Sequence, residues 1–468
     1  MAKNFKYITT PIYYASGNPH IGTAYTTIAA DVLARYWRGR GDKVFFLTGT
    51  DEHGAKIAQA AERAGKSPSE FVGEQAQKYV DVWKKLDIDY SQFFRTTDPK
   101  HEKIVQEFAT KLKNQKLIEK RQYSGLYCVG CERYLSEDEI VDGKCPDHKT
   151  KPVAQSEENY FFLLSKFRDK LIKAIEDGDL NILPETRRNE VLGKLRQGLD
   201  DVSISRSSVK WGIPFPGDQS QTIYVWFDAL INYYSATHIY DTVPWEDHPA
   251  DVHIVGKDIL WFHAIIWPAM LMALHLPLPK LIFAHGFFTV DGEKMSRSRG
   301  NVLDPVALSK KYGAEPLRYA LLREFPFGSD GDFSEATLKL RYDRDLANEL
   351  GNLLQRVLVM IQKYDIGVIP TNVEGSLSVV RSDLESFRFD SALVQIWDSL
   401  RQGNVVIDKE KPWELAKTDR EKLIKILSGE YDRLSQAAEA LAPFMPETAK
   451  EIHRQLTYLD PQPLFPKK

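Results

Sequence analysis

Cysteine is scarce in this sequence. Three occur in 468 residues, all between positions 128 and 145. A disulfide framework is therefore not expected, and a reducing, cytoplasmic setting is the default reading. Long apolar runs are missing too. No stretch approaches the ~18 uninterrupted apolar residues of a membrane span. The opening "MAKNFKYITTP" has no apolar signal-peptide core. Positive charge is not in excess: Lys+Arg is 62, Asp+Glu is 65, and the net charge is −3. That counts against a general nucleic-acid binder, so such a partner would have to meet a local patch. Internal repeats and low-complexity tracts are absent. With 43% apolar and 27% charged residues, the chain reads as an ordinary globular protein of about three domains.

Its patterning is α/β. "KYITTPIYY" reads as a strand, and Tyr25, Ile28, Val32 and Tyr36 recur at helical spacing until "GRG" at 39–41. "KVFFLTGTDEHG" is a second strand running into a loop, which completes a βαβ unit and implies a parallel sheet. Residues 1–115 are read as the first half of a split Rossmann-like sheet domain. Turn-rich residues 116–220, which hold the cysteines, interrupt it as an inserted domain. The pattern resumes over 221–333 with strands "DVHIVGKDI" and "KLIFAHGFF" around a helix predicted over 261–276. From 334 to 468 the pattern is helical: Leu346, Leu350, Leu353, Val357 and Ile361 form one stripe, and further helices are predicted over 392–408, 420–442 and 447–455.

Four groups of residues suggest chemistry. His20 and Gly22 fall at the first turn of the first helix, where free N–H groups and the positive dipole end favour phosphate. Gly22 would admit close backbone approach. Read alone, His20 is more simply a helix-start residue after a Pro turn. The loop "DGEKMSRSRGN" places Lys294, Arg297 and Arg299 among small residues after a strand. Such a cationic loop can close on developing charge, although an exposed basic turn looks the same. Cys128-x₂-Cys131 and Cys145-x₂-His148 make two ligand pairs, a spacing that suits a closed, structural zinc site. Asn352 and Arg356, four apart, share a helix face, and Trp413 follows Pro412 at a helix start. A solvated polar face with a half-buried tryptophan reads the same way.

"PHIGT" and "KMSRS" together resemble the two signatures of class I aminoacyl-tRNA synthetases. The wider run "TTPIYYASGNPHIG", "FLTGTDEHG", "YVWFDALINYYSA", "VGKDILWFHAIIWPAML" and "KEKPWELAK" resembles the methionyl family within that class, from residue 5 to about 450. The resemblance implies ATP-dependent ligation of L-methionine to tRNA(Met), initiator tRNA included, through methionyl-adenylate, with Mg²⁺ accompanying ATP. It implies that His20 and Lys294 contact the phosphates catalytically, and that Gly22, Thr23, Ser296 and Arg297 complete ATP binding. It assigns Ile12, Tyr14, Trp226, Leu230, Tyr233, Asp258, Ile259 and His263 to the methionine slot, with Asp51 on the α-ammonium. Sulfur packs favourably on aromatic rings, by ~0.3–1.5 kcal/mol. Read without the family, the aromatics are better taken as plain core packing, and Asp51 is equally a helix cap. Asn352, Arg356 and Trp413 would hold the anticodon, whose unpaired bases suit stacking and edge hydrogen bonds. The chain departs from the family at two places. Thr23 stands where a second histidine is usual, and histidine is expected to be tolerated there. Arg297 stands where lysine is usual, which keeps the cation.

Two other readings compete. Synthetases for leucine, isoleucine or valine need a large editing domain, for which this chain is too short. A non-catalytic tRNA-binding paralogue would be expected to lose His20, Asp51 or the Lys294 loop. The chain ends soon after its helical part, and a monomer without membrane contact is expected.

Overall fold

The computed structural model describes residues 4–128, 133–135, 140–146, 149–290, 292–294, 302–367 and 376–466. β1 (Phe5–Tyr14) is apolar on both faces, and Tyr7 and Ile8 are fully buried, as befits a strand covered on both sides. It leads into α1 (Ile21–Gly39). β2 (Lys43–Asp51) and β3 (Gln92–Arg95) extend the sheet to one side of β1. Val252–Gly256, Leu281–His285 and Asn181–Leu183 extend it to the other. All five neighbouring pairs of the six strands are parallel. The winding direction reverses between β1 and Val252–Gly256, so a crevice opens there at the carboxyl ends.

Between 116 and 220 a four-stranded antiparallel sheet runs in the order Arg133–Leu135, Ile118–Cys128, Val153–Phe162 and Val202–Ser203. The same interval also supplies Asn181–Leu183, the edge strand of the parallel sheet. The inserted segment is thus partly woven into the main fold. The helix predicted over 261–276 is a composite. A 3₁₀ turn, Lys257–Ile259, and a π-helical turn, Phe262–Ile266, precede the α-helix Trp267–Ala273.

The C-terminal part is helical as expected. Its stripe of Leu346, Leu350, Leu353, Val357 and Ile361 is buried, running from the π-helical Tyr342–Gly351 into Asn352–Lys363. It packs with Phe389–Glu410, Arg420–Leu441 and Pro446–Tyr458. One apolar core joins these helices to α1. Fully buried Arg318 bonds Asp31 of α1 at 2.6 Å, the Phe444 carbonyl at 2.9 Å and the Leu86 carbonyl at 3.2 Å. A buried guanidinium is tolerable because its donors are met by a carboxylate and carbonyls.

Candidate active site

The crevice is built from strand ends. Tyr14 and Asp51 are register partners at the carboxyl ends of β1 and β2, and the Ala15 N–H donates to the Asp51 carbonyl at 2.9 Å. Asp51 is 4% exposed. Glu52, behind it, is held by both arms of Arg95 at 2.7 and 2.9 Å and by Thr50 and Thr97 at 2.6 and 2.5 Å. A buried carboxylate with this many donors is a rigid anchor for its neighbour.

His20 is the N-cap of α1. Its Nδ1 accepts the Gly22 N–H at 3.1 Å, which assigns the ring proton to Nε2 and makes that atom the donor. Thr23 closes the box: its hydroxyl accepts the His20 N–H at 3.0 Å and donates to the His20 carbonyl at 2.8 Å. Gly22 therefore lies within the cap, and Thr23 acts on His20. Across the crevice, a side chain at Gly256 would bring its Cβ to 2.5 Å from Oδ1 of the exposed Asp258, whose carboxylate would have to turn away.

The aromatic candidates meet. Trp226 stacks on Phe262 at 3.8 Å and stands edge-on to Tyr14 at 6.1 Å and to His263 at 6.3 Å. His263 Nδ1 donates to the Ile259 carbonyl at 3.0 Å, so Nε2 accepts the Tyr233 hydroxyl at 2.8 Å. Burial pushes the His263 pKa down to about 4, against the opposing carbonyl bond, so the ring is neutral. Burial likewise pushes the Tyr233 hydroxyl up. Leu230 is buried in the same apolar cluster, and Ile12 and Ile259 pack on it. The lining is apolar with a few fixed polar atoms, a composition that suits a thioether.

The second signature is seen only at its stem. Phe288–Val290 pairs antiparallel with Glu293–Lys294. Asp332 accepts from Thr289 and from the Gly292 N–H, both at 2.7 Å. Asp330 accepts from the Phe287 N–H at 2.7 Å and from Lys257 at 2.8 Å. The Lys294 side chain, Ser296 and Arg297 lie outside what is described. So do Cys131 and His148. Cys128 and Cys145 are buried together with Leu135, and Ile140 packs against them. Among the described residues no group of three or more metal-ligating side chains is gathered. Thiols of this kind are soft donors that suit zinc.

On the helical part, Asn352 is exposed, Arg356 is ion-paired with Asp408 at 2.6 Å, and Trp413 is 41% exposed. Pro412 opens the short helix that carries Trp413.

Known proteins match this arrangement. The family model described as tRNA synthetases class I (M) covers residues 6–151 and 148–358. A methionine–tRNA ligase of Thermotoga maritima is 46% identical over 97% of this chain and 75% of its own. One of Caldanaerobacter subterraneus is 47% identical over 97% and 74%. The Mycobacterium tuberculosis methionyl-tRNA synthetase in complex with methionyl-adenylate superposes with a TM-score of 0.92 at 37% identity, covering 99% of this chain and all of that one.

The chain belongs to the class I methionyl-tRNA synthetase family.

The free form of the mycobacterial enzyme superposes less closely, with a TM-score of 0.82 at 35% identity. Two residues of this structure escaped the sequence reading. Phe262 forms one face of the Trp226 stack, and its only signal is adjacency to His263. His285 ends its strand against α1: its Nε2 lies 2.7 Å from Thr26 Oγ1, its Nδ1 donates to the Gly286 carbonyl at 2.8 Å, and burial pushes its pKa down to about 4.

Proposed function

We propose that the chain activates L-methionine with ATP and transfers the methionyl group to tRNA(Met), initiator tRNA included. In the first step a methionine carboxylate oxygen attacks the α-phosphorus, the bond from that phosphorus to the bridging oxygen breaks, and pyrophosphate leaves. In the second, a hydroxyl of the tRNA's terminal adenosine attacks the acyl carbon and AMP leaves. The side chains position and stabilise charge rather than form bonds. Asp51 holds the α-ammonium, and Tyr14, Trp226, Leu230, Tyr233, Ile12, Ile259 and His263 receive the thioether. Asp258 belongs to the same slot. His20 donates from Nε2 to a phosphate oxygen, and Gly22 and Thr23 keep it in place. Lys294, Ser296 and Arg297 close on the phosphates. Mg²⁺ enters with ATP as part of the substrate.

The observation that carries this reading is the meeting, at one topological switch point, of a capped His20 with a buried Asp51 and a prebuilt aromatic slot. Residues 1–115 and 221–333 form the catalytic body, 116–220 the insertion, and 334–468 the anticodon part with Asn352, Arg356 and Trp413. Cys128, Cys145, Cys131 and His148 would hold one zinc, which supplies rigidity to the insertion; metal analysis is expected to find one per chain. We read the protein as a cytoplasmic monomer. Among the described residues no helix is long and apolar enough to cross a membrane.

The test is ATP–pyrophosphate exchange without tRNA over a panel of amino acids. Exchange driven by methionine alone supports the reading. Exchange driven better by leucine, isoleucine or valine favours another class I activity, and none with any amino acid favours a non-catalytic tRNA binder.

A further inference from the structure

Behind the Asp51 loop lies a set of buried titratable side chains that the reading above leaves unused. Asp228, 1% exposed, sits in the helix Val225–Ile239. Its two carboxylate oxygens are divided between two imidazoles. His53 Nδ1 donates to Oδ2 at 2.7 Å, and His101 Nε2 donates to Oδ1 at 2.7 Å. The other nitrogen of His101, Nδ1, lies 2.8 Å from Ser235 Oγ in the same helix as Asp228. His101 itself comes from the helix Pro99–Asn114 and is fully buried, with its ring edge-on to Phe94 at 5.0 Å.

The helix carrying Asp228 has two faces. At about 100° per residue, Trp226, Leu230 and Tyr233 fall on one side, and Asp228 and Ser235 fall on the opposite side. The first face is the wall of the slot. The second is bonded to His53, two residues beyond Asp51. His53 is fixed from its own side as well: its ring stands against Trp211 at 5.6 Å, whose Nε1 donates to the Glu52 carbonyl at 2.6 Å. The Gly54 N–H donates to the Trp211 carbonyl at 3.0 Å. Burial disfavours charge on Asp228, but the charge of His53 and the two imidazole bonds outweigh it and hold the carboxyl below its usual range. Asp228 therefore remains the acceptor of both bonds.

The two ends of an amino-acid ligand are thus held by parts of the protein that touch through one carboxylate. We propose that Asp228, bridged by His53 and His101, is a positioning residue that sets the separation between the Asp51 carboxylate and the apolar wall Trp226–Leu230–Tyr233, and thereby sets affinity and selectivity for the amino acid without touching it. The inference rests on the proposed function. A misplacement of ~1 Å is enough to cost a large factor in a site of this kind, and here it would be felt in amino-acid binding rather than at the phosphates, which are handled by α1.

The experiment is methionine-dependent pyrophosphate exchange on the full chain, with active sites counted by adenylate burst. Asp228→Asn is expected to raise KM for methionine at least tenfold. KM for ATP and kcat per active site are expected to change less than threefold, and the preference for methionine over leucine to narrow. His53→Ala is expected to do the same. His53→Asn, whose amide nitrogen can stand near Nδ1, is expected to bring KM back within threefold of wild type. If Asp228→Asn does not fold, the two His53 variants decide. An unchanged methionine KM in Asp228→Asn or His53→Ala overturns the proposal, as does a loss confined to the number of active sites. Wild-type chain without methionine-dependent exchange overturns the functional reading itself, and this inference with it.

Discussion

The strand-end crevice and the helical face are built on opposite plans. In the crevice, Asp51, Leu230, Tyr233 and His263 are buried before any ligand arrives, and the Trp226 ring is already stacked on Phe262. On the helical face Asn352 is exposed, Trp413 is 41% exposed, and Arg356 is occupied by Asp408. Selecting a small apolar side chain needs a slot whose shape is set in advance, because a methylene is worth only ~1–3 kcal/mol. Reading unpaired bases needs rings and donors that can be reached and can turn. In its proposed anticodon role Arg356 exchanges the Asp408 carboxylate for a base, so its contribution there is a difference between two partners, which favours selectivity over affinity.

Acid should separate the regions most. His263 and His285 are buried and neutral, with pKa values near 4 against an ordinary 6.5. The unfolded chain binds these two protons at higher pH than the folded one, so stability falls as pH drops from about 6.5 towards 4. At 1.36 kcal/mol per unit, the loss is roughly 3 kcal/mol for each histidine at the acid end. Urea unfolding at pH 7 and pH 4.5 is expected to show this loss. A flat profile would mean the crevice is wetter than described.

Trp413→Ala is the next largest. An aromatic platform contributes ~1–3 kcal/mol per stacked base, so aminoacylation of tRNA is expected to fall roughly tenfold to a hundredfold while pyrophosphate exchange is nearly unchanged. Parallel losses in the two assays would make Trp413 a support for the fold and erase the contrast between the regions.

Thr23 gives the smallest effect. The resemblance alone suggests that histidine is tolerated at this position. The hydroxyl, however, bonds both the N–H and the carbonyl of His20. Loss of such a cap typically costs ~0.5–2 kcal/mol. Thr23→Val is expected to slow exchange severalfold and lower the melting temperature by a few degrees, with Thr23→Ser close to wild type. Equal behaviour of the valine and serine variants would return Thr23 to the role of a phosphate contact.

Much of the α/β order could be read directly because its signals are local. The βαβ unit, the helical stripe from Leu346 to Ile361 and the start of α1 at His20 each lie within a short window. The misses share a different cause. Asn181–Leu183 is too short to show alternation, so its place in the parallel sheet was hidden. A π-helical turn keeps apolar residues as dense as an α-helix does, so Phe262–Ile266 was read as α. Arg318 looks like a surface residue until five oxygens from distant segments converge on it. Asp228 and His53 are 175 positions apart, and only the fold brings them to 2.7 Å.

The most direct measurement is calorimetric binding of L-methionine and of its analogue lacking the α-amino group, to wild type and to Asp51→Ala, without ATP or tRNA. One methionine per chain is expected to bind, with at least tenfold weaker binding of the analogue to wild type, a gap of about 1.4 kcal/mol or more. The gap is expected to close in Asp51→Ala. Equal binding of both ligands to wild type, or a gap that survives in Asp51→Ala, would contradict the claim that this crevice grips methionine at both ends.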